Sequence, residues 1–381
     1  MIVTSTRADY GLLRPVIRSF SSDGFFEVAV AVTGSHLCGA LGHTVSEIED
    51  DKIKISARLD ILEGRADMPV DSVICNAITE FSKYFRDTRP DAVVLLGDRS
   101  EIFATATAAA LLEIPIAHIS GGETTQGAKD EFFRHCITKM SSLHFASTED
   151  YRRRVIQLGE QPKAVFNVGS LGAENILTIL PVPKERLSET VGFSLKEKYL
   201  LATYHPETLG SKNVAADLEE LLLAIDTLGT RCLFTMANAD DGGAIINERL
   251  AQYCEKNSGR AALRSSLGAV NYLSAMRWCA AVVGNSSSAI VESPTLKKPA
   301  VNIGERQAGR IMGANTICCD AKKEAIVKAL RKAMSLEFAK ELESMTSPYG
   351  GENVSGKIAN ITKTYLSDGN RSSKKVFYDI I

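Results

Sequence analysis

The sequence predicts an α/β protein made of two doubly wound, Rossmann-like domains. Short apolar runs of strand length alternate with helical patterns along most of the 381 residues. Many of these runs end in turns rich in glycine, serine or acidic residues, as strands of open parallel sheets do at their ligand-binding edge. The chain also exceeds the length at which a single hydrophobic core usually stays whole, so we expect two domains.

Composition narrows the class of protein. Hydrophobic residues make up 45% and charged residues 24%, with a formal net charge of −2, which is ordinary for a globular protein. This charge offers no basic surface for nucleic acid, and no apolar run approaches membrane-spanning length. Strand-like sequence begins at Ile2 without a charged leader, so we expect a cytoplasmic protein. The eight cysteines are scattered without a C-x-x-C pair, which indicates free thiols.

The first half of the chain carries six strand patterns, enough for a complete doubly wound domain. Between them lies the charged segment 44–68, in which apolar residues follow neither the helical nor the strand periodicity clearly. We interpret it as a helix and a mobile loop. The predicted strands are 2–4, 26–33, 92–96, 114–119, 143–146 and 164–168, and the predicted helices end at residues 20, 85, 112 and 158.

Arg7 follows the first strand, in a turn that opens a helix. A cation and free backbone N–H groups at the start of a helix suit a phosphate. The alternative is that Arg7 is only a surface salt-bridge partner.

Three acidic residues follow neighbouring strands of this half. Asp98 and Glu123 come after the third and fourth strands, and Asp130 opens the next helix. Because the carboxyl ends of parallel strands meet at one edge of a sheet, these side chains should face one crevice. Carboxylates that converge on a cleft favour proton-transfer chemistry. Asp98 could instead cap the following helix or hold Arg99.

The domain boundary is predicted within residues 171–198, which contain Pro181, Pro183, many charges and no clear strand. Near the end, residues 352–366 read as an amphipathic helix, followed by a polar tail. The predicted division is 1–170 for the first domain, 171–350 for the second, and 351–381 for a helix that returns to the first domain and the tail.

The second half repeats the alternation, with predicted strands at 199–204, 232–236, 263–265, 280–283, 300–303 and 317–319. The fourth of these runs into Ser286 and Ser287 at the start of a helix predicted over 289–296. Serine hydroxyls and free N–H groups there would suit a diphosphate, although the serines could be plain helix caps. Glu292, in the same helix, could accept both hydroxyls of a ribose.

A nucleotide site on the second domain and carboxylates on the first describe the GT-B architecture, in which two domains face a central cleft. Seven motifs strengthen this interpretation, and the resemblance that they carry extends over roughly residues 2–365. They are Thr6-Arg7-Ala8-Asp9-Tyr10, Gly97-Asp98-Arg99, Gly121-Gly122-Glu123, Asp130-Glu131 with Arg134-His135, His205-Pro206, Gly284-Asn285-Ser286-Ser287 and Gly304-Glu305-Arg306-Gln307. In this order they resemble the UDP-N-acetylglucosamine 2-epimerase family, and most closely its hydrolysing branch, which feeds sialic acid synthesis.

The resemblance implies conversion of UDP-N-acetylglucosamine to N-acetylmannosamine and UDP, by elimination of UDP and hydration of the glycal. Asp98 and Asp130 match the family's acid/base pair. The resemblance also suggests a homodimer or dimer of dimers. With the residue chemistry, it assigns catalytic roles to Asp98, Glu123, Asp130 and His205, and UDP-sugar contacts to Arg7, Glu131, Arg134, Asn238, Ser286, Ser287, Glu292 and Arg306. No cofactor is expected, and no metal, because the histidines and acids lack ligand spacing.

Two positions depart from the family's pattern. The commoner pattern has a catalytic glutamate directly before the pair that matches Gly121-Gly122, and this chain has Ser120 there. Serine cannot be that base at neutral pH, so either Glu123 supplies the carboxylate or the two aspartates act alone. Leu12 stands where many members carry a lysine, so we expect the phosphate contacts to rest more on Arg7 and on Arg306 or Arg310.

Two other functions stay open. The same chemistry could act on a UDP-2,4-diacetamido-trideoxyhexose, as on the legionaminic acid route, or the chain could be a GT-B glycosyltransferase. The density of carboxylates speaks against sugar transfer, which needs no proton exchange at C2. His118, which alternates with apolar neighbours, is predicted to be a buried core histidine rather than a catalyst.

Overall fold

The computed structural model describes residues 1–126, 130–206, 214–237, 242–368 and 374–380. The chain divides into two compact units, each with its own sheet. Unit 1 comprises Met1–Glu123, Asp130–Asn175 and Gly350–Ile381, and unit 2 comprises Thr124–Lys129 and Ile176–Tyr349. Every strand pair found in the described residues is parallel.

Unit 1 begins with alternating strands and helices. In chain order these elements are β1 (Ile2–Thr4), α1 (Arg7–Ser22), β2 (Val30–Thr33), α2 (Val45–Asp50), β3 (Ile55–Leu59), α3 (Val70–Thr88), β4 (Val93–Leu96), α4 (Ser100–Leu111), β5 (Ile116–Ile119), α5 (Asp130–Met140), β6 (Leu143–Ala146), α6 (Glu149–Gln157), β7 (Val165–Asn167) and α7 (Leu171–Thr178), the last of which runs into unit 2.

Unit 2 repeats this alternation. Its elements are α8 (Lys184–Val191), β8 (Tyr199–Thr203), α9 (Val214–Leu228), β9 (Arg231–Thr235), α10 (Gly243–Lys256), β10 (Ala261–Arg264), α11 (Gly268–Trp278), β11 (Ala281–Gly284), α12 (Ser288–Val291), β12 (Ala300–Ile303), β13 (Thr316–Cys319), α13 (Lys323–Ala333) and α14 (Leu336–Glu341). The final helix, α15 (Val354–Ser367), belongs to unit 1.

Both sheets are doubly wound, as predicted. The strand order is β3-β2-β1-β4-β5-β6-β7 in unit 1 and β10-β9-β8-β11-β12-β13 in unit 2. The order therefore reverses between β1 and β4 and between β8 and β11, and open α/β sheets bind ligands beyond the carboxyl ends of strands at such points. Arg7 and Asp98 follow the first pair of strands, and His205 and Ser286 follow the second pair.

Apolar helix faces cover both sides of the unit 1 sheet. On one side, Leu13 and Ile17 of α1 pack with Ile358 of α15, and all three are almost completely buried. On the other side, Phe81 and Phe85 of α3 pack against the alanine-rich helix α4. The small side chains of α4 let α3 and α5 both approach it closely, because alanine leaves little volume between packed helices.

Two helix starts show why the sequence turns where it does. The Thr6 hydroxyl accepts a hydrogen bond from the Asp9 N–H (3.2 Å), and the Asp9 carboxylate accepts one from the Thr6 N–H (3.0 Å), which forms a capping box at α1. The Thr148 hydroxyl accepts a hydrogen bond from the Tyr151 N–H (3.2 Å) and caps α6.

Three predictions about elements are wrong. In the segment 44–68 the predicted helix is present as α2, but the predicted loop contains β3 at the sheet edge, whose residues are alternately half-buried and exposed. Its sequence, Ile-Ser-Ala-Arg-Leu, alternates apolar and polar residues as an edge strand does, but it is short and lies in an otherwise charged segment. The described part of unit 1 therefore has seven strands rather than six. The strand predicted over 26–33 begins only at Val30. The helix predicted over 289–296 is the four-residue α12, because Pro294 cannot continue a helix.

Across the described ranges, no helix combines the length and the apolar character needed to cross a membrane.

Candidate active site

A buried arginine gathers the acidic residues of unit 1. Arg134, in α5, has a side chain only 1% exposed. Its guanidinium donates hydrogen bonds to the backbone oxygen of Glu123 (2.9 Å) and to the Glu131 carboxylate (3.1 Å), and it forms an ion pair with the Asp98 carboxylate. The fork of a guanidinium can satisfy several acceptors at fixed angles, so this one side chain fixes three segments relative to one another.

Asp98 directly follows Gly97 at the carboxyl end of β4. Gly97 has a φ of +84°, which glycine adopts without strain, and the chain turns there into α4. The Asp98 side chain is about a quarter exposed and pairs with Arg134. The alternative in which Asp98 holds Arg99 is not what the structure shows, because the Arg99 guanidinium contacts Glu101 instead (3.3 Å).

Glu123 lies where the chain leaves unit 1, and its side chain is buried. The Ser147 hydroxyl, at the end of β6, donates to its carboxylate (3.0 Å). The turn before Glu123 is tight, because a Cβ at Gly122 would overlap the backbone oxygen of Tyr151. Ser120, which replaces the usual family glutamate, adopts a φ of +67°.

Asp130 and Glu131 form the first turn of α5, where acidic side chains complement the helix dipole. Asp130 is half-buried. Glu131 accepts hydrogen bonds from Arg134 and from the His135 ring (3.2 Å). The structure therefore brings Asp98, Glu123 and Glu131 together through Arg134, with Asp130 adjacent in sequence.

Arg7 begins α1 beside a second buried carboxylate that the sequence analysis did not single out. Within the described residues, the Arg7 guanidinium makes no ion pair. Asp9 accepts hydrogen bonds from the Ser5 N–H (3.0 Å) and hydroxyl (2.9 Å). Burial alone would raise the pKa of Asp9, but contacts with His36, Thr4 and Ser5 lower it below its usual value. An ionised Asp9 therefore holds the turn that presents Arg7.

In unit 2, His205 follows β8 and is held by Asn285, which follows β11. The Asn285 side chain accepts from the His205 N–H (2.7 Å) and donates to the His205 backbone oxygen (2.8 Å). The backbone oxygen of Asn285 in turn accepts from Arg306 (3.1 Å) and from Gln307 (2.8 Å). Burial, with a smaller effect of the Arg306 charge, lowers the pKa of His205 to about 3. The imidazole is therefore neutral at physiological pH.

The serine-rich turn after β11 is closely packed. A Cβ at Gly284, where φ is +132°, would overlap the backbone oxygen of Thr203. Ser286 is half-buried and Ser287 exposed, and the hydroxyls of Ser286 and Ser288 contact each other (3.1 Å). In the part of the chain that the structure describes, the backbone N–H groups of Ser286 and Ser287 meet no acceptor, whereas that of Asn285 donates to the Thr203 backbone oxygen (3.2 Å). The turn can therefore donate hydrogen bonds to an anion.

Glu292 lies directly after α12, half-buried. The Tyr272 hydroxyl contacts the Ser288 hydroxyl (2.5 Å). Burial raises the pKa of Tyr272 to about 12, and the charge of Glu292 adds to this rise. Tyr272 therefore stays a neutral hydroxyl beside the serine-rich turn, and sequence patterns gave no signal for it. Asn238, predicted to contact UDP, lies outside the described residues.

Two doubly wound units of this kind place the chain in the GT-B class of α/β proteins. The chain belongs to the UDP-N-acetylglucosamine 2-epimerase family, whose sequence model matches residues 18–363. The family predicted from the seven motifs is thus confirmed.

Individual relatives agree with this membership. The chain is 42% identical over 339 residues to the GDP/UDP-N,N'-diacetylbacillosamine 2-epimerase (hydrolyzing) of Campylobacter jejuni, covering 88% of both chains. It is 38% identical over 383 aligned positions to polysialic acid biosynthesis protein P7 of Escherichia coli, covering 100% of this chain and 97% of that protein. The structure of UDP-GlcNAc 2-epimerase from Neisseria meningitidis bound to UDP-GlcNAc has the same fold, with a TM-score of 0.81, 18% identity and coverage of 96% and 99%.

Proposed function

We propose that the protein is a hydrolysing UDP-N-acetylglucosamine 2-epimerase, which converts UDP-N-acetylglucosamine and water to N-acetylmannosamine and UDP for sialic acid synthesis. The observation that carries the proposal is the Arg134 cluster, which holds Asp98, Glu123 and Glu131 together in a chain of this family. The name of the Escherichia coli relative supports a role in making sialic acid.

The chemistry explains why several carboxylates are needed. The proton on C2 of the sugar is not acidic, because no carbonyl lies beside it. The C1–O bond must break first, with its electron pair leaving on UDP, so that positive character at C1 makes the C2 proton removable. Loss of that proton gives the glycal. Water then adds its hydroxyl to C1, and C2 receives a proton on the opposite face, which inverts that centre.

We assign the proton transfers at C2 to Asp98 and Asp130, one as base and the other as acid. Inversion requires groups on both faces of the ring, so a single carboxylate would not suffice. Glu123 takes the place of the glutamate that the family usually carries at the position of Ser120. Its hydrogen bond from Ser147 keeps the carboxylate oriented, as a catalytic group needs.

The leaving diphosphate needs stabilisation as the C1–O bond breaks, and this is the largest electrostatic task of the reaction. We assign it to Arg7, Arg306, the turn formed by Ser286 and Ser287, and His205. A neutral His205 would act by donating a hydrogen bond rather than by its charge. Glu292 is assigned to the ribose hydroxyls. These roles are supported by the N–H groups of the serine-rich turn and by the cation on Arg306.

A UDP-2,4-diacetamido-trideoxyhexose is the second candidate substrate. The 42% identity to a hydrolysing diacetylbacillosamine 2-epimerase supports a UDP-2,4-diacetamido-trideoxyhexose as the alternative substrate. Both sugars undergo the same elimination, so the choice rests on which groups accommodate C4 and C6. Measuring kcat/KM for the two UDP-sugars with the same preparation decides between them. A preference of more than about tenfold for the diacetamido sugar, equal to about 1.4 kcal/mol of transition-state binding, would replace the leading substrate.

The proposed enzyme is a cytoplasmic homodimer or dimer of dimers. Phe132 of α5 and Leu111 of α4 leave large apolar side chains 55% and 70% exposed. Exposed apolar side chains on neighbouring helices suit a contact between copies. Light scattering should give at least twice the 41.2 kDa mass of one chain, and Phe132→Asp should lower the oligomer's stability. A monomer at micromolar concentration would contradict this part of the proposal.

Incubation with UDP-N-acetylglucosamine in deuterated water tests the reaction. We expect free N-acetylmannosamine with deuterium at C2, released together with an equal amount of UDP. Asp98→Asn and Asp130→Asn should each abolish turnover while UDP still binds, and Glu123→Gln should be nearly inactive. Intact substrate without exchange would overturn the proposal, and full activity in one mutant would overturn the role of that residue.

A further inference from the structure

His118 is a buried polar side chain that the proposed reaction does not use. It lies on the central strand β5 with no exposed surface, so the prediction of a buried core histidine is confirmed. Both of its ring nitrogens nevertheless have polar partners. Nε2 lies 2.8 Å from the backbone oxygen of Gly97, and Nδ1 lies 3.2 Å from the Thr138 hydroxyl.

The partners fix the protonation of the ring. The Gly97 carbonyl oxygen can only accept, so Nε2 must carry the hydrogen. The neutral ring then presents a lone pair at Nδ1, and the Thr138 hydroxyl donates to it. Burial lowers the pKa of His118 to about 3, with nearby His144 and His135 contributing in the same direction. The imidazole is therefore neutral across the working pH range.

These two hydrogen bonds connect the segments that carry the proposed catalytic carboxylates. Gly97 immediately precedes Asp98, and Thr138 lies in α5, the helix that Asp130 opens. The turn that leads to Glu123 packs against His118 and Thr138. A Cβ at Gly121 would lie 3.1 Å from both His118 Nδ1 and the Thr138 hydroxyl, so glycine lets the backbone approach them.

We propose that His118 is a positioning residue. Through its Nε2–H and its unprotonated Nδ1 it sets the relative positions of three segments: the turn that carries Asp98, the turn that leads to Glu123, and helix α5, which Asp130 opens. Arg134 joins the same segments through the Asp98 and Glu131 carboxylates and the Glu123 backbone oxygen, and His118 joins them through the Gly97 backbone and the Thr138 side chain of α5. The role rests on the proposed function, because it concerns the placement of the groups that transfer the C2 proton. His118 itself does not exchange a proton during the reaction.

Thr138 offers the mildest test, because its substitution leaves the ring in place. Thr138→Val removes the hydroxyl that donates to Nδ1 and keeps the shape of the side chain. We expect kcat to fall by about tenfold with KM and UDP affinity within twofold, since small misplacements of catalytic groups act on the transition state. Thr138→Ser restores the donor and should recover most of kcat. His118→Leu should lower kcat further.

His144 provides the matched control. It is a buried histidine on the neighbouring strand β6. Its ring contacts Glu160, which has no part in the proposed reaction, rather than a segment that carries Asp98, Glu123 or Asp130. His144→Gln should lower stability while leaving kcat within twofold. If His144→Gln and Thr138→Val lower kcat equally, the effect is a general loss of packing and the positioning role is wrong.

A second readout does not depend on turnover. In protein with ¹⁵N-labelled histidine, the His118 resonances should show a protonated Nε2 and an unprotonated Nδ1, unchanged between pH 6 and pH 9. A ring that titrates in this range, or the opposite tautomer, would overturn the inference. Failure of the wild-type protein to turn over either UDP-sugar would instead remove the proposed function, and the nitrogen resonances would still report on the hydrogen bonds.

Discussion

Substitution of Glu160 by glutamine should destabilise unit 1 by an amount that depends on pH. The Glu160 side chain is only 2% exposed, yet it accepts hydrogen bonds from His144 (3.0 Å), Lys139 (2.6 Å) and Lys375 (2.6 Å). Lys375 also donates to the backbone oxygen of Ser141 (2.7 Å), just beyond the end of α5. Glu160→Gln removes the negative charge on which these donors converge.

The magnitude follows from the pKa of the carboxyl group. Burial alone would raise the pKa of Glu160, but the hydrogen bonds from His144, Lys139 and Lys375 lower it from the ordinary 4.5 to about 2. At about 1.4 kcal/mol for each pH unit, the ionised group contributes about 3 kcal/mol to folding. Because the folded pKa lies below the unfolded one, the contribution is complete well above pH 4.5 and is lost as the pH falls towards 2.

Urea unfolding at pH 7 and at pH 3 measures this difference. Glu160→Gln should lower the free energy of unfolding by about 3 kcal/mol at pH 7 and by about half as much at pH 3. Glu149→Gln is the control, because Glu149 is 45% exposed and pairs with Arg152 and Arg153 at the surface. This substitution should lower the free energy of unfolding by less than about 1 kcal/mol. If Glu160→Gln lowers the free energy of unfolding by the same amount at both pH values, the reasoning is refuted.

Three further predictions follow from close contacts. Gly284→Ala places a Cβ against the Thr203 oxygen and should prevent folding or cost more than about 3 kcal/mol by urea unfolding. Gly259→Ala, in open space, should stay within about 1 kcal/mol of wild type; equal effects would refute the steric argument. Asp9→Asn should lower the free energy of unfolding by about 1 to 3 kcal/mol, and an unchanged thermal midpoint would contradict it. Arg134→Lys should lower kcat about 100-fold without weakening UDP binding measured by calorimetry, since ammonium cannot reproduce the fork; native kcat would contradict this.

The interior of the fold was predictable because buried parallel strands read as continuous apolar runs. β4 and β5 show this, and the turns after them follow from the glycines that end each run. β3 could not be predicted in this way. It lies at the edge of the sheet, where Ser56 and Arg58, two of its five residues, are exposed to solvent.

The candidate site was predictable residue by residue but not in its connections. Sequence position indicated that Asp98 and Glu123 follow adjacent strands, and the structure agrees. The contact between Asp98 and Arg134 joins residues 36 positions apart, and the hydrophobic periodicity of single helices and strands gives no information about it. Arg134 itself was predicted as a substrate contact. That assignment stays a prediction, and its burial and its bonds to protein groups indicate a positioning role.

The shared guanidinium of Arg134 has a consequence for mutational analysis. Because the Asp98 and Glu131 carboxylates bond to the same guanidinium, removing one of them lets the arginine reorient towards the other and towards the Glu123 backbone oxygen. The rate losses of single and double variants should therefore not multiply, and coupling energies should exceed those expected for independent positions. The acidic residues around Arg134 behave as one epistatic unit, so a tolerated change at one position requires a compensating change at another.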